Sequence, residues 1–256
     1  MSVMKNRAVR AYWENEPCGT GEAIVGKIPQ SRRAFFEKVE NHRYAIEPHI
    51  FTVAQFSRFH GRKVLEIGVG AGTDHLQWAR SGVDLYGVDL TQAAISMTSD
   101  RLKSHGFSSQ LQRWDAEQRL PFRSGFFDVV YSWGVIHHAE EPEKILKEVY
   151  RILKPGGVFI GMLYGRHSLR ALRLWIRRAL LAGRPWQSLG KVVADHMESP
   201  GTQSYTPGEL RGLLRPYRRV EFLPWITPYD TKGIPPVLQG LLPACLGWFL
   251  AFRAWK

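Results

Sequence analysis

Three glycines, Gly68, Gly70 and Gly72, stand two residues apart directly after the run Val64-Leu65-Glu66-Ile67. Glycine at that spacing lets the backbone turn sharply and approach a bound molecule with no Cβ in the way. About 20 residues beyond the first glycine comes Asp89, where nucleotide sites keep a carboxylate that accepts hydrogen bonds from ribose hydroxyls. Together they point to a nucleoside-containing cofactor. A dinucleotide fingerprint would need glycine where Thr73 stands, and Glu66 precedes the first glycine. A cofactor with a positively charged amino-acid end suits that acid better than a pyrophosphate does. Further along, Ser132, Trp133, His137 and His138 form a second reactive group. An imidazole there can take a proton from an attacking hydroxyl or amine because it titrates near neutrality, and His137 is favoured over His138. Neighbouring histidines without a carboxylate triad or cysteine set make a poor metal site, so no metal is expected.

These groups need strands that end at one crevice. Residues 64–67 read as a strand buried on both faces, 68–72 as a tight turn, and 74–80 as the helix whose amino terminus faces the ligand, with Asp74 either its cap, the safer reading, or a contact to the ligand. A second strand over 84–88 ends in Asp89. Thr91 caps a helix over 92–104, and a third strand over 109–114 delivers Asp115. The fourth strand, 128–132, opens at its carboxyl end into the crevice of an open α/β sheet. From Pro142 to Leu153 an amphipathic helix sets Ile145, Leu146, Val149, Tyr150 and Leu153 on one side. Lys154-Pro155-Gly156-Gly157 is read as the turn that ends it, and 158–163 as the fifth strand. Upstream, 31–59 is helical by spacing, capped by Ser31 and interrupted at Pro48. Downstream, 205–210 reads as a turn and helix start, 218–225 as a sixth strand and 247–256 as the last.

Taken in order, Glu66-x-Gly68-x-Gly70-x-Gly72, Gly87-Val88-Asp89-Leu90, Trp114-Asp115-Ala116-Glu117, Leu120-Pro121-Phe122, the run Phe127 to Ser132, and Leu153-Lys154-Pro155-Gly156-Gly157 strongly resemble the class I S-adenosylmethionine-dependent methyltransferases. The likeness is to their small-molecule group, related to the ubiquinone-pathway enzymes, and it is firm over 61–163. It implies a doubly wound, Rossmann-like α/β fold: a seven-stranded, mostly parallel sheet with helices on both faces. Residues 1–60 would form an amino-terminal helical lid, 164–217 a basic helical insert or substrate cap, and 218–256 the closing strands. The implied cofactor is S-adenosyl-L-methionine, with Asp115 meeting the adenine amino group, Ala116 giving a backbone contact, and Leu90, Ser132 and Trp133 beside it. Tyr12 and Trp13, ahead of the Pro17-Cys18-Gly19 turn, are either a lid over the cofactor or two aromatics pinning a surface helix. Tyr44 and His49 either help close the active site, as helices before the first strand do in this family, or are polar residues of the core. Tyr205 would reach the acceptor pocket. In the resembled pattern the His137-His138 pair also packs or caps ahead of the next helix.

The 256-residue chain is large enough for one α/β domain, and 44% hydrophobic with 23% charged residues is ordinary for a globular protein. Cys18 and Cys245 are too few for a disulfide scaffold and share no metal spacing, and no apolar signal-peptide core follows the charged first ten residues. A cytoplasmic protein is expected. The net charge of +12 is uneven: residues 165–219 hold ten Arg and one Lys against Asp195, Glu198 and Glu209. In a helix over 166–181, Arg166, Arg170, Arg173 and Arg177 would share one face, and Leu169, Leu172, Ile176 and Ala179 another. That face could bind an acidic substrate through Arg170, lie on an anionic membrane, or simply be solvated. Residues 237–252 are apolar but interrupted, short of a membrane span, with shallow membrane contact conceivable around 241–248. Nucleic acid is disfavoured as a partner, because no RNA-binding signature or base-methylating Asn-Pro-Pro-Tyr motif is present. The expected activity is methyl transfer to a hydroxyl or carboxylate of a secondary metabolite, quinone precursor or modified peptide. The alternatives are an RNA methyltransferase using the basic insert, or a cofactor-binding protein without turnover.

Overall fold

The structure is a computed structural model that describes residues 2–15, 20–21, 31–199 and 201–256. The expected turn at Pro17-Cys18-Gly19 lies outside them. The strands are β1 (Lys63–Ile67), β2 (Asp84–Asp89), β3 (Gln110–Arg113), β4 (Phe127–Trp133), β5 (Leu153–Tyr164), β6 (Arg219–Trp225) and β7 (Phe249–Trp255). They form one sheet in the order β3-β2-β1-β4-β5-β7-β6. β1 to β5 are parallel, whereas β7 slots between β5 and β6 and runs antiparallel to both. The central strands are apolar on both faces, as a sheet covered on both sides requires: Val64, Leu65, Val129, Val130, Tyr131 and Phe159 are fully buried.

Helices α1 (Ser2–Asn15), α2 (Arg32–Ile46) and α3 (His49–Ala54) precede the sheet. Ser31 caps α2 by accepting from the Ala34 amide, and Pro48 separates α2 from α3. Between strands lie α4 (Thr73–Arg80), α5 (Gln92–Ser104, capped by Thr91) and α6 (Pro142–Ile152). Then come α7 (Leu169–Trp175), α8 (Leu189–His196) and α9 (Pro207–Leu213), the last held by a Thr206–Glu209 capping box. Among the described residues no helix is long and apolar enough to cross a membrane.

Three sequence expectations are corrected here. The turn expected at Lys154 to Gly157 lies inside a strand: α6 passes directly into β5, where Leu153 stands opposite Phe127 and Val158 opposite Val129, and the four residues between turn out of register at Gly156, whose φ is +78°. Asp74 does not cap α4, whose N-cap is Gly72 without a side-chain bond. The four arginines do not share a helical face. Arg166 precedes α7, which starts after its cap Ser168, and residues Ile176–Leu180 form a π turn that breaks the 3.6-residue phase. Of the expected apolar stripe only Ala179 is buried, and Leu172 is exposed.

Candidate active site

A cleft of about 420 Å³ opens at the carboxyl ends of β1, β2, β4 and β5. The glycine loop forms its floor, and the three glycines do different work there. A Cβ on Gly68 would lie 2.2 Å from a Val135 methyl, so this position lets the loop after β4 close down on β1. On Gly72 it would come within 3.0 Å of the Thr98 backbone, so that glycine serves the packing of α4 on α5 and lies outside the cleft lining, against expectation. Gly70 lines the cleft, and its missing Cβ would meet no atom of the described residues within 4 Å. It is the open cradle of the three. Thr98 Oγ1 and Arg101 Nε donate to the Gly70 and Ala71 carbonyls at 3.1 and 2.7 Å, fixing the loop from α5.

Asp89, at the end of β2, accepts from Gly70 N at 3.2 Å and from Thr91 N and Oγ1 at 2.9 and 2.8 Å. Burial pushes its carboxyl above the ordinary range, those bonds notwithstanding. A carboxylate has about four acceptor positions, so three protein donors leave room for a ligand hydroxyl. Asp115 is anchored by the Glu117 amide at 2.9 Å, and Leu90, Trp114 and Ala116 complete this wall. From α1, Glu14 accepts from the Gln92 and Ala93 amides at the start of α5, which sets Tyr12 and Trp13 on the rim. The Trp13 ring meets that of His138 edge-on at 5.3 Å.

Behind the loop lies a cluster of buried charges. Asp74 accepts two bonds from Arg43, at 2.7 and 3.1 Å, and one each from the Tyr44 and Tyr131 hydroxyls, at 3.0 and 2.8 Å. Burial alone would raise its carboxyl, but the Arg43 charge and these donors bring it below the ordinary range. Glu66 Oε2 lies 2.8 Å from His75 Nδ1, and burial followed by the Asp74 charge pushes Glu66 well up. Glu47 accepts from Trp133 Nε1 at 2.8 Å. Arg43 pairs with Asp74 and, at 3.6 Å, with Glu47, and Glu66 joins them on the cleft lining; burial pushes the Glu47 and Glu66 carboxyls up, so a cationic guest would favour their ionised forms.

The far end of the cleft is aromatic. Met162, Tyr164, Tyr229, Trp248 and Phe249 line it, with Tyr164 stacked on Trp248 at 4.3 Å. Arg170 reaches this end as expected; its guanidinium lies 4.9 Å from the Tyr229 ring centre and 3.7 Å from Glu198. Its Nε is buried without a partner among the described residues.

The order of the two histidines is reversed. His137 is fully buried outside the cleft lining, its ring 3.8 Å from that of Tyr164 and both nitrogens without a hydrogen bond among the described residues. Burial holds its pKa well below the usual imidazole range. His138 does line the cleft; its Nδ1 lies 2.8 Å from Ser199 Oγ and 3.1 Å from Thr202 Oγ1. Burial lowers its pKa to about 3, so the ring is neutral at physiological pH. Four more expected residues lie outside the lining. Ser132 turns its hydroxyl to the Ile67 carbonyl, and Tyr44 serves Asp74. His49 stacks on Trp225 at 4.9 Å, and Tyr205 bonds Gln203 in a separate groove beside α9. His42, which the sequence did not favour, lines the cleft, as do Met162, Tyr164, Glu198, Tyr229, Trp248 and Phe249. The strand-end rule could have found Met162 and Tyr164; nothing local marked the others. Among the described residues no group of three or more His, Cys, Asp or Glu could hold a metal ion.

Residues 65–161 match a family described as a methyltransferase domain. Over 163 residues the chain is 32% identical to a ubiquinone biosynthesis O-methyltransferase of Caulobacter vibrioides, covering 61% of this chain and 58% of that protein. Over 109 residues it is 32% identical to phosphoethanolamine N-methyltransferase 2 of Caenorhabditis elegans, covering 41% of this chain and 24% of that one. The chain spans about half the length of the curated relatives it matches. A geranyl diphosphate C-methyltransferase from Streptomyces coelicolor A3(2) shares the fold, with a TM-score of 0.61 at 17% identity over 98% of this chain and 97% of that one.

Proposed function

We propose that this chain, a member of the class I S-adenosylmethionine-dependent methyltransferases, moves a methyl group to an oxygen of a small, largely apolar acceptor. The observation that carries this reading is a single cleft with two unlike ends, one ringed by carboxylates around Arg43 and the other by aromatic side chains and Arg170. The first end fits the cofactor, which bears an amino group and a sulfonium: Gly70 offers open backbone, Asp89 an acceptor for ribose hydroxyls, Asp115 one for an exocyclic amine, and Glu66 a buried carboxyl that a bound cation would hold in its charged form. When bound, S-adenosylmethionine supplies an electrophilic methyl group.

The protein's share is positioning and dryness. Holding acceptor and donor in near-attack geometry is worth effective molarities of about 10⁵ M or more. Tyr12 and Trp13 at the rim exclude water. We assign the proton of a hydroxyl substrate to His138, the histidine on the cleft lining, in the tautomer whose Nδ1–H is donated to Ser199 or Thr202 and whose other ring nitrogen keeps its lone pair. Oxygen is favoured by the O-methyltransferase names of the ubiquinone-type relatives. An acceptor carboxylate would need no base, and Arg170 would then hold it. Calorimetric titration with S-adenosylhomocysteine, followed by transfer of a labelled methyl group into fractionated lipid, peptide, RNA and small-molecule pools, tests the proposal. Label in the small-molecule or lipid pool is expected. No uptake of the nucleoside, or label confined to RNA, would overturn it.

A further inference from the structure

Eight of the eleven exposed large apolar side chains among the described residues fall in two segments, 172–186 and 229–241. Four of them, Leu181, Trp186, Val237 and Leu241, are 76–80% exposed, while no other exceeds 47%. Two exposed loops carry these four. One follows the π turn after α7; the other is built of two short helical turns, Pro236–Gln239 and Ala244–Leu246, with Val237 and Leu238 in the first and Leu241 between them. The loops are tied at their bases, where Arg173 Nη1 donates to the Lys232 carbonyl at 2.9 Å and Arg170 covers the Tyr229 ring. So much apolar surface on a monomer marks a surface that meets something else.

Charge identifies the occupant. Of the six arginines and Lys191 in residues 165–194, Arg166, Arg170 and Lys191 pair with Glu209, Glu198 and Asp195 and Arg173 is tied to the Lys232 carbonyl, while residues 231–249 add Lys232 and no acid. Arg177, Arg178 and Arg184 are exposed beside the apolar prongs. A second copy of the chain would set this cationic surface against itself, whereas an anionic bilayer complements it and takes up leucine and tryptophan at its interface.

We infer that the two loops form a docking surface for anionic membranes, with Leu181, Trp186, Val237, Leu238 and Leu241 entering the headgroup layer and Arg177, Arg178 and Arg184 meeting lipid phosphates. This surface is independent of the methyl-transfer reading and lies outside the cleft lining apart from Arg170 and Tyr229 at its base.

The test uses the full chain with phosphatidylcholine vesicles, with and without phosphatidylglycerol. Cosedimentation is combined with an environment-sensitive dye on the exposed Cys245 of a Cys18→Ser chain. The protein should partition onto the anionic vesicles and hardly onto the neutral ones, with the dye shifting to shorter wavelength only on the anionic vesicles. Each arginine lost should weaken binding about five-fold, so Arg177→Gln with Arg178→Gln should cost about 25-fold. The paired lysine replacements should restore most of it, which a folding defect would not allow. Leu181→Ser with Leu241→Ser should abolish the dye shift while affinity for S-adenosylhomocysteine is unchanged. Equal binding to both vesicle types, no binding, or a dye shift that follows protein concentration without lipid, the sign of a self-associating face, would each overturn the inference.

Discussion

Asp89→Asn separates what Asp89 does for the fold from what it does for the cofactor. The amide oxygen can keep the two bonds from Thr91, but an NH₂ group would now face the Gly70 amide, donor against donor, where the carboxylate accepts at 3.2 Å. Losing that charge-assisted bond costs about 1.5–3 kcal/mol of stability. Against this, burial holds the Asp89 carboxyl above its ordinary value of 3.8, so the fold is strained by the charge that asparagine removes. The sign follows. A folded pKa above the unfolded one means the native state binds more protons between the two values, and wild-type stability falls as pH rises through that window. The variant lacks this slope. Its deficit in urea unfolding should therefore be largest near pH 4 and shrink toward neutrality. Affinity behaves differently, because the ribose bond exists only in the complex: its loss should weaken S-adenosylhomocysteine about 10- to 150-fold, or roughly 1.5–3 kcal/mol. Calorimetry at pH 7 reads this directly. Binding within a factor of about two of wild type, well under one such bond, would refute the placement of the ribose at Asp89.

Replacing His138 with alanine should lower turnover on a hydroxyl acceptor about 10²- to 10⁴-fold with cofactor affinity retained, whereas His137→Phe should leave both unchanged. Since neither nitrogen of His137 has a partner among the described residues, that second variant should also unfold at an equal or higher urea concentration. Gly68→Ala drives a Cβ into Val135 at φ +80° and should cost more than about 2 kcal/mol; adding Val135→Ala should recover the steric share and leave about 1–2 kcal/mol of backbone strain, read as urea midpoints. Arg43→Met strands the Asp74 carboxylate and should cost about 3–5 kcal/mol at pH 7. In the wild type, whose Asp74 pKa is depressed below 3.8, the stabilisation is present above that value and lost as pH falls through the lower folded one. The gap between variant and wild type should therefore close in acid.

Much of the cofactor half was legible because its signals are local. Thr91 and the spacing after it mark α5 with the bounds observed, and the run before Gly68 can only be a buried strand. What escaped was set by partners distant in sequence. Asp74 looks like a helix cap until Arg43, Tyr44 and Tyr131 converge on it from α2 and β4. His137 and His138 sit in one short 3₁₀ turn, where no periodicity tells which ring faces the cleft. The arginine face failed for a different reason: five residues of π turn cannot be read from helix-forming side chains, and they rotate everything after them. Trp248 and Phe249 join the cleft only because β7 inserts next to β5.

That insertion imposes an order on assembly. β6 touches the sheet solely through β7, so residues 219–225 have no edge to join until Phe249–Trp255 has been synthesised and threaded beside β5. A nascent chain that has passed Tyr164 already holds the five parallel strands and the nucleoside-facing acids, while its aromatic end is still unbuilt. Ligand stabilisation during synthesis should thus come from the nucleoside before any acceptor can be retained.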